Sequence, residues 1–221
     1  MPIKRTYGDL GDACRAANAL DLVGDRWTLI LVRELILGPK RFADLLESVR
    51  GITPAVLTER LRTLRESGIV EPVVLPDLAR TRAYAATAWG RGLEPVLAAL
   101  GRWYSAGPDP ATSGGMTPDA LVIAMRTMAP PVAGETPAVE FRLHDDRRPG
   151  PPVHHYHAVT INGILAVRAG AAPNPAAVVT ADATAWGGVV FGGLPLTDAA
   201  VRVDGDRDAV LRLVRLYAQP A

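Results

Sequence analysis

Six basic side chains crowd one short stretch of the chain. Lys40, Arg41, Arg50, Arg60, Arg62 and Arg65 fall within residues 39–65, against three acids, Asp44, Glu47 and Glu59. Cations at this density can neutralise phosphates, and the arginine fork can also grip a guanine edge through two parallel hydrogen bonds. Cys14 is the single cysteine, so it can neither close an internal disulfide nor join a multi-cysteine zinc site. Two readings of it stay open: a small, half-buried residue, or a redox-sensing thiol that bridges two subunits. His154, His155 and His157 sit together. On a strand His155 and His157 share a face and His154 points away. No cysteine or acid stands beside them at ligand spacing, so neither a metal nor a cofactor is expected. Asp145-Asp146 beside Arg147-Arg148 reads as a turn between strands. There is no phosphate-binding glycine loop, nucleophile motif or paired-carboxylate constellation, and enzyme activity is not expected.

The elements that carry these residues come in two halves. The 221 residues suit one large or two small domains, and 48% apolar with 21% charged residues is a globular composition. The clearest break is AGPDPATSGG at residues 106–115, where proline, glycine and small polar residues hold neither helix nor strand. The net charge is +1 overall. It divides unevenly: residues 1–107 carry 15 Lys/Arg against 12 Asp/Glu, and residues 108–221 carry 9 against 11. A uniformly basic binder is excluded, while a local basic face is not. No run of about 18 apolar residues occurs, so no membrane partner is expected. The opening MPIKRTYGDL has no apolar stretch behind its basic residues, which predicts a cytoplasmic location.

In the first half, residues 13–23 are apolar at helical spacing and Gly24 closes them. Asp25 can cap the next helix, with Trp27, Ile30, Leu31, Leu35 and Ile36 as its apolar stripe and Arg33 and Glu34 facing away. RFADLLESV is short and amphipathic, and Gly51-Ile52 makes a tight turn. Thr53-Pro54 is a strong helix start, followed by Leu57, Leu61 and Leu64 on one face and Gly68 as the stop. IVEPVVL and TRAYAA read as a hairpin joined by PDLAR. A last helix spans WGRGLEPVLAALGRWYSA, presenting Trp89, Leu93, Val96, Leu97, Leu100 and Trp103.

A short helix, a sharp turn, a basic-faced helix and an arginine-bearing hairpin make a winged helix-turn-helix, whose second helix fits a major groove about 12 Å wide. The face opposite the leucines carries Thr53, Pro54, Ala55, Thr58, Glu59 and Arg62. Its small residues allow close approach to base edges, and Arg62 and Arg65 reach a guanine edge or a phosphate. Lys40 and Arg41 are placed to clamp phosphate, and Arg80 and Arg82 to enter the minor groove. The expected partner is double-stranded DNA.

Residues 10–105 resemble the HxlR family of bacterial regulators. The resemblance rests on Cys14, Gly24-Asp25-Arg26-Trp27-Thr28, Leu35, Gly38, Arg41-Phe42, Leu45 and Gly51-Ile52. It continues through Leu57, Leu61, Leu64, Gly68, Tyr84, Thr87, Gly90 and Trp103. It implies a winged helix homodimer that regulates a nearby operon and dimerises through its first and last helices, here around residues 12–22 and 89–104. Some members of the family sense oxidants or electrophiles through a cysteine matching Cys14. Ala86 replaces a larger aliphatic and implies a more weakly packed second wing strand. Pro54 and Ala55 replace polar residues and imply lighter base readout.

Most members of that family stop near residue 110–120. Here AVEFRL, HHYHAVTI, ILAVRAG, AAVVTAD and TDAAVRVDG follow as alternating runs, between a helix holding Leu121, Met125 and Met128 and a closing helix capped near Asp206. They predict an α+β domain with an antiparallel-type sheet. The stretch resembles the sterol carrier protein fold at Gly163, Gly170, Asp182, Gly192-Gly193 and Val203-Asp204-Gly205-Asp206. That resemblance implies a sheet covered by helices around an apolar tunnel. Its candidate lining is Met125, Phe141, Trp186, Val190, Phe191 and Leu194, and the same residues serve equally as an ordinary core.

The whole chain is thus expected to be α+β. Residues 1–107 would form a winged helix-turn-helix for DNA binding and dimerisation, 108–117 a linker, and 118–221 a sterol-carrier-like domain binding a hydrophobic small-molecule effector. Two alternatives remain: a lipid-binding or carrier protein whose helical half only dimerises, and a thiol-switch regulator acting through Cys14.

Overall fold

The computed structural model describes residues 5–108, 114–132, 134–148, 150–197 and 200–218. Residues 109–113 of the expected linker lie outside this set. The chain divides into two compact units, Met1–Leu97 and Ala98–Ala221. No helix among the described residues is long and apolar enough to cross a membrane.

The first unit runs α1 (Arg15–Val23), α2 (Thr28–Ile36), α3 (Phe42–Ser48), α4 (Pro54–Glu66), β1 (Val70–Val74), β2 (Arg82–Ala86) and α5 (Ala88–Arg91). α6 (Glu94–Ser105) spans the division. Asp25 opens α2 by accepting the backbone N–H groups of Trp27 (2.8 Å) and Thr28 (3.2 Å). Thr53 opens α4 through Val56 N–H (3.3 Å), with Pro54 at the first helical position, where its missing donor costs nothing. The far end of α4 closes as a Schellman motif. Gly68, at φ 74°, donates to Arg65 O, and Ile69 N–H reaches back to Leu64 O. Leu57, Leu61 and Leu64 are buried, each stabilising the unit by about 1.5–3 kcal/mol.

β1 and β2 form the expected antiparallel hairpin, Val70 opposite Ala86 and Val74 opposite Arg82. Lys40 adds a one-residue bridge to Tyr84, exchanging both backbone hydrogen bonds at 2.9 and 2.8 Å. Two expectations need correction. Glu34 does not face away: it is 0% exposed, held by Arg33 (2.9 Å) and Lys40 (2.6 Å). The last helix is not continuous but breaks at Gly92-Leu93. Pro95 has no N–H to offer Arg91 O, and its ring would clash there. Thr87 moreover fastens the first piece to the end of α4, donating from its backbone N–H to Ile69 O and from its hydroxyl to Gly68 O.

The second unit runs α7 (Pro118–Met128), β3 (Val139–His144), β4 (His154–Ile161), β5 (Ile164–Ala169), β6 (Ala177–Asp182), α8 (Ala183–Phe191), β7 (Val201–Gly205) and α9 (Arg207–Tyr217). The sheet order is β5-β4-β3-β6-β7. It is mixed rather than antiparallel throughout, because β6 lies parallel to β3. The chain must cross from β5 over β4 and β3 to reach that slot, and Glu140 fastens the crossing. Its carboxylate accepts the N–H of Ala172 in the crossover (3.2 Å), together with Arg142 (2.9 Å) and His155 (3.2 Å). An acid therefore does stand beside His155, brought by strand pairing rather than by sequence spacing. His157 instead approaches Gly170 O at 2.9 Å. Asp145 is buried under a two-point pair with Arg147, both contacts 2.7 Å, in the turn after β3. The opposite sheet face, with Phe141, Tyr156, Val167 and Val179, is buried against α7, α8 and α9.

Two consequences are measurable. A Cβ at Gly90 would lie 2.1 Å from Ile69 O, so Gly90→Ala should cost about 1–3 kcal/mol in thermal unfolding, and unchanged stability would refute this close approach. Burial alone would raise the Glu140 carboxyl, but the hydrogen bonds from Arg142, His155 and Ala172 outweigh it and hold the group below the ordinary range. A carboxyl lowered by folding contributes stability that is fully present above its unfolded value, about 4.3, and lost as pH falls through the folded one. Urea unfolding should accordingly weaken more steeply on acidification in the native protein than in Glu140→Gln.

Candidate nucleic-acid interface

α4 turns one side to the core and the other to solvent. Thr53, Pro54, Ala55, Thr58, Glu59, Arg62 and Arg65 are all exposed. The Thr58 hydroxyl donates to Pro54 O (2.8 Å), so it projects little from the helix and stays an acceptor towards solvent. Arg62 is held on both sides. Its Nε and Nη2 donate to Glu59 at 3.1 and 2.6 Å, and its Nη1 to Glu66 at 2.5 and 2.7 Å. These contacts lower the Glu59 carboxyl, mainly through the Arg62 hydrogen bond, and raise the guanidinium. Arg65, one step on, has no side-chain partner among the described residues.

The other expected bases separate into tethered and untethered sets. The Lys40 ammonium is spent on buried Glu34 and only 12% of its side chain is exposed. Arg41 reaches Asp77 in the hairpin loop at 2.9 Å, so it joins the start of α3 to the wing. Arg60 approaches Asp25 at 3.4 Å. Arg80 and Arg82 are exposed and, among the described residues, unpaired; Arg80 sits at φ 47° in a loop pinned by Asp77, which accepts Thr81 N–H at 2.8 Å. Arg62 and Arg65 thus stand on α4, and Arg80 and Arg82 on the wing. Sequence reasoning missed a groove of about 430 Å³ between the end of α4 and β1, lined by Arg62, Arg65, Glu66 and Glu71. It forms where the turn at Gly68 brings β1 back beside the end of α4.

Cys14 is exposed, not half-buried: it stands just before α1, and no element among the described residues covers it. The backbone N–H groups of Ala17 and then Ala16 point at its sulfur and lower the thiol below its ordinary value. In the second unit Met125, Phe141, Trp186 and Val190 lie in the core, with the Phe141 and Trp186 rings 5.5 Å apart, while Phe191 and Leu194 are exposed. Two buried polar atoms there, Trp186 Nε1 and the Tyr217 hydroxyl, have no hydrogen-bond partner among the described residues, and burial raises the latter's pKa. The Phe191 ring meets Tyr217 edge-on at 5.6 Å.

Residues 22–110 match the model of the HxlR-like helix-turn-helix family. Among curated proteins, the chain is 35% identical over 92 residues to an uncharacterized HTH-type transcriptional regulator of Synechocystis, covering 42% of this chain and 68% of that protein. It is 30% identical over 97 residues to YvaP of Bacillus subtilis, 44% of this chain and 90% of that one. It is 35% identical over 86 residues to the HTH-type transcriptional regulator YodB of B. subtilis, 39% of this chain and 77% of that one. The solved reduced form of YodB is 32% identical and covers 45% of this chain and 99% of its own, with a TM-score of 0.40.

The pairing pattern separates structural from exposed cations. Lys40→Ala strands the Glu34 carboxylate with one fewer partner and should cost roughly 1–3 kcal/mol in urea unfolding. Arg82→Ala should stay within about 0.5 kcal/mol. Equal losses would contradict the division.

Proposed function

Because this chain belongs to the HxlR-like helix-turn-helix family, we propose that it is a sequence-specific regulator of transcription that binds double-stranded DNA as a homodimer in the cytoplasm. α4 enters the major groove, and Arg80 and Arg82 on the hairpin approach the adjacent minor groove. One observation carries this reading: burial of Leu57, Leu61 and Leu64 commits the opposite, uncovered face of α4 outward, with Arg62 and Arg65 on it. Lys40 and Arg41 act on DNA through position, by fixing the wing, more than by direct phosphate contact.

Dimerisation is supported by apolar side chains that their own chain leaves uncovered. Neither α1 nor α6 contains a buried residue. Leu20 is 53%, Leu100 45% and Trp103 72% exposed. A two-fold pair would present two copies of α4 to successive major grooves about 34–36 Å apart.

In this reading residues 1–107 form the DNA-binding and dimerisation domain, 108–117 the linker, and 118–221 a sterol-carrier-like sensor for a hydrophobic small molecule. Trp186 Nε1 and the Tyr217 hydroxyl, without partners among the described residues, support the last part, since each such buried group costs about 1–3 kcal/mol that an acceptor on a ligand would offset. The effector would act by binding two states unequally. A second reading is favoured by Cys14: its exposure and its lowered thiol suit a switch that responds to oxidants or electrophiles.

Fluorescence anisotropy on duplexes from the DNA flanking the gene tests the main reading. Affinity should fall steeply between low and moderate salt. Arg62→Ala should weaken binding by about 1–3 kcal/mol, and an unchanged affinity would remove Arg62 from the interface. For the second reading, oxidant should release the native protein from DNA and leave Cys14→Ser bound; release of both alike would dismiss the thiol.

A further inference from the structure

We propose that Glu59 and Glu66 make Arg62 a conditional reader of guanine: they hold its guanidinium on α4 until a G·C pair replaces them, and so set sequence discrimination more than affinity. The inference rests on the DNA-binding reading and concerns the regulation of that same face.

The geometry separates Arg62 from its neighbour Arg65. All three guanidinium nitrogens of Arg62 are occupied, Nε and Nη2 by Glu59 three residues before it and Nη1 by Glu66 four residues after it, whereas Arg65 has no side-chain partner among the described residues. The three side chains stay more than half exposed, in the open where a duplex would lie. Exposed ion pairs are individually weak, so the clasp can open, most readily towards a partner that satisfies the freed fork and one of the two carboxylates.

A G·C pair does this. Guanine O6 and N7 accept two hydrogen bonds from the freed fork, and the cytosine N4 amino group of the same pair can donate to a released carboxylate. A phosphate can also draw Arg62 away, but it then leaves two carboxylates facing the negatively charged backbone with no donor. An A·T pair offers adenine N7 beside an amino donor, a pattern the fork cannot match. With the clasp shut, Glu59 and Glu66 remain as negative charge against any duplex lacking the right pair. Arg65 is then the sequence-independent phosphate anchor and Arg62 the gated one.

The test compares the native protein, Glu59→Gln/Glu66→Gln and Arg62→Lys on three probes. These are a duplex selected by the native protein from a randomised pool, the same duplex with each G·C pair changed singly to A·T, and an unselected random duplex. Removing a carboxylate about 4 Å from a phosphate is worth roughly fivefold in water. The double variant should therefore bind the random duplex several-fold to tenfold tighter or more, gain less on the selected one, and lose preference at one G·C pair. Arg62→Lys keeps the charge without the fork and should lose that preference too. Equal gains on both duplexes, or a lower melting temperature with the discrimination ratio intact, would reduce the clasp to ordinary helix-surface pairing and overturn the inference. Failure of the native protein to bind any duplex in a salt-dependent way would instead overturn the DNA-binding reading itself.

Discussion

Leu57, Leu61 and Leu64 can be removed from water only by turning one side of α4 inward, and that necessity arranges the rest of the first unit. Thr53 and Gly68 fix where the helix starts and stops, so its rotation and its length are both settled. Once the leucines are inside, the exposed face carries small residues at its beginning and charged ones towards its end. The hairpin and α5 follow from the same anchor: Ile69 and Gly68 at the helix end receive Thr87, and Gly90 allows α5 to approach Ile69 O. The candidate surface for DNA is in this sense the remainder of a packing problem.

Ion pairing then decides what that surface offers. Lys40, Arg41 and Arg62 look equivalent as letters, yet one is committed to a buried carboxylate, one to the wing and one to two acids on its own helix. Tying Lys40 to Glu34, while its backbone pairs with Tyr84, links α2 to the hairpin and stiffens the wing's base. The net positive charge of this half therefore overstates the charge available to a partner. Such a face suits discrimination better than indiscriminate attraction.

Elements set by local signals were legible in the sequence. Thr53-Pro54, Gly68, Asp25 and Asp206 mark helix ends through short-range hydrogen bonds, and the alternation in residues 138–205 fixes the strands. What depends on distant partners was not. Charge normally avoids the core, so the sequence pattern points Glu34 outward; Arg33 beside it and Lys40 six residues on make its burial tolerable. The parallel pairing of β3 with β6 joins residues nearly forty apart, and Glu140 shows its purpose only once the crossover lies above it. α8 was unreadable as a helix because Gly187, Gly188 and β-branched valines are poor helix formers; burial of Trp186, Val189 and Val190 overrides them. For the candidate interface, spacing puts Ala55, Thr58, Glu59, Arg62 and Arg65 on the side of α4 that is exposed, but it does not show which cations are already engaged.

The central claim is that the uncovered side of α4 lies in a major groove, and directed cleavage tests it most directly. In a Cys14→Ser background, a single iron chelate tethered through Thr58→Cys should cut both strands of a bound duplex at positions facing one major groove per subunit. Absence of cutting from position 58 on a duplex that the tethered protein still binds would contradict the account.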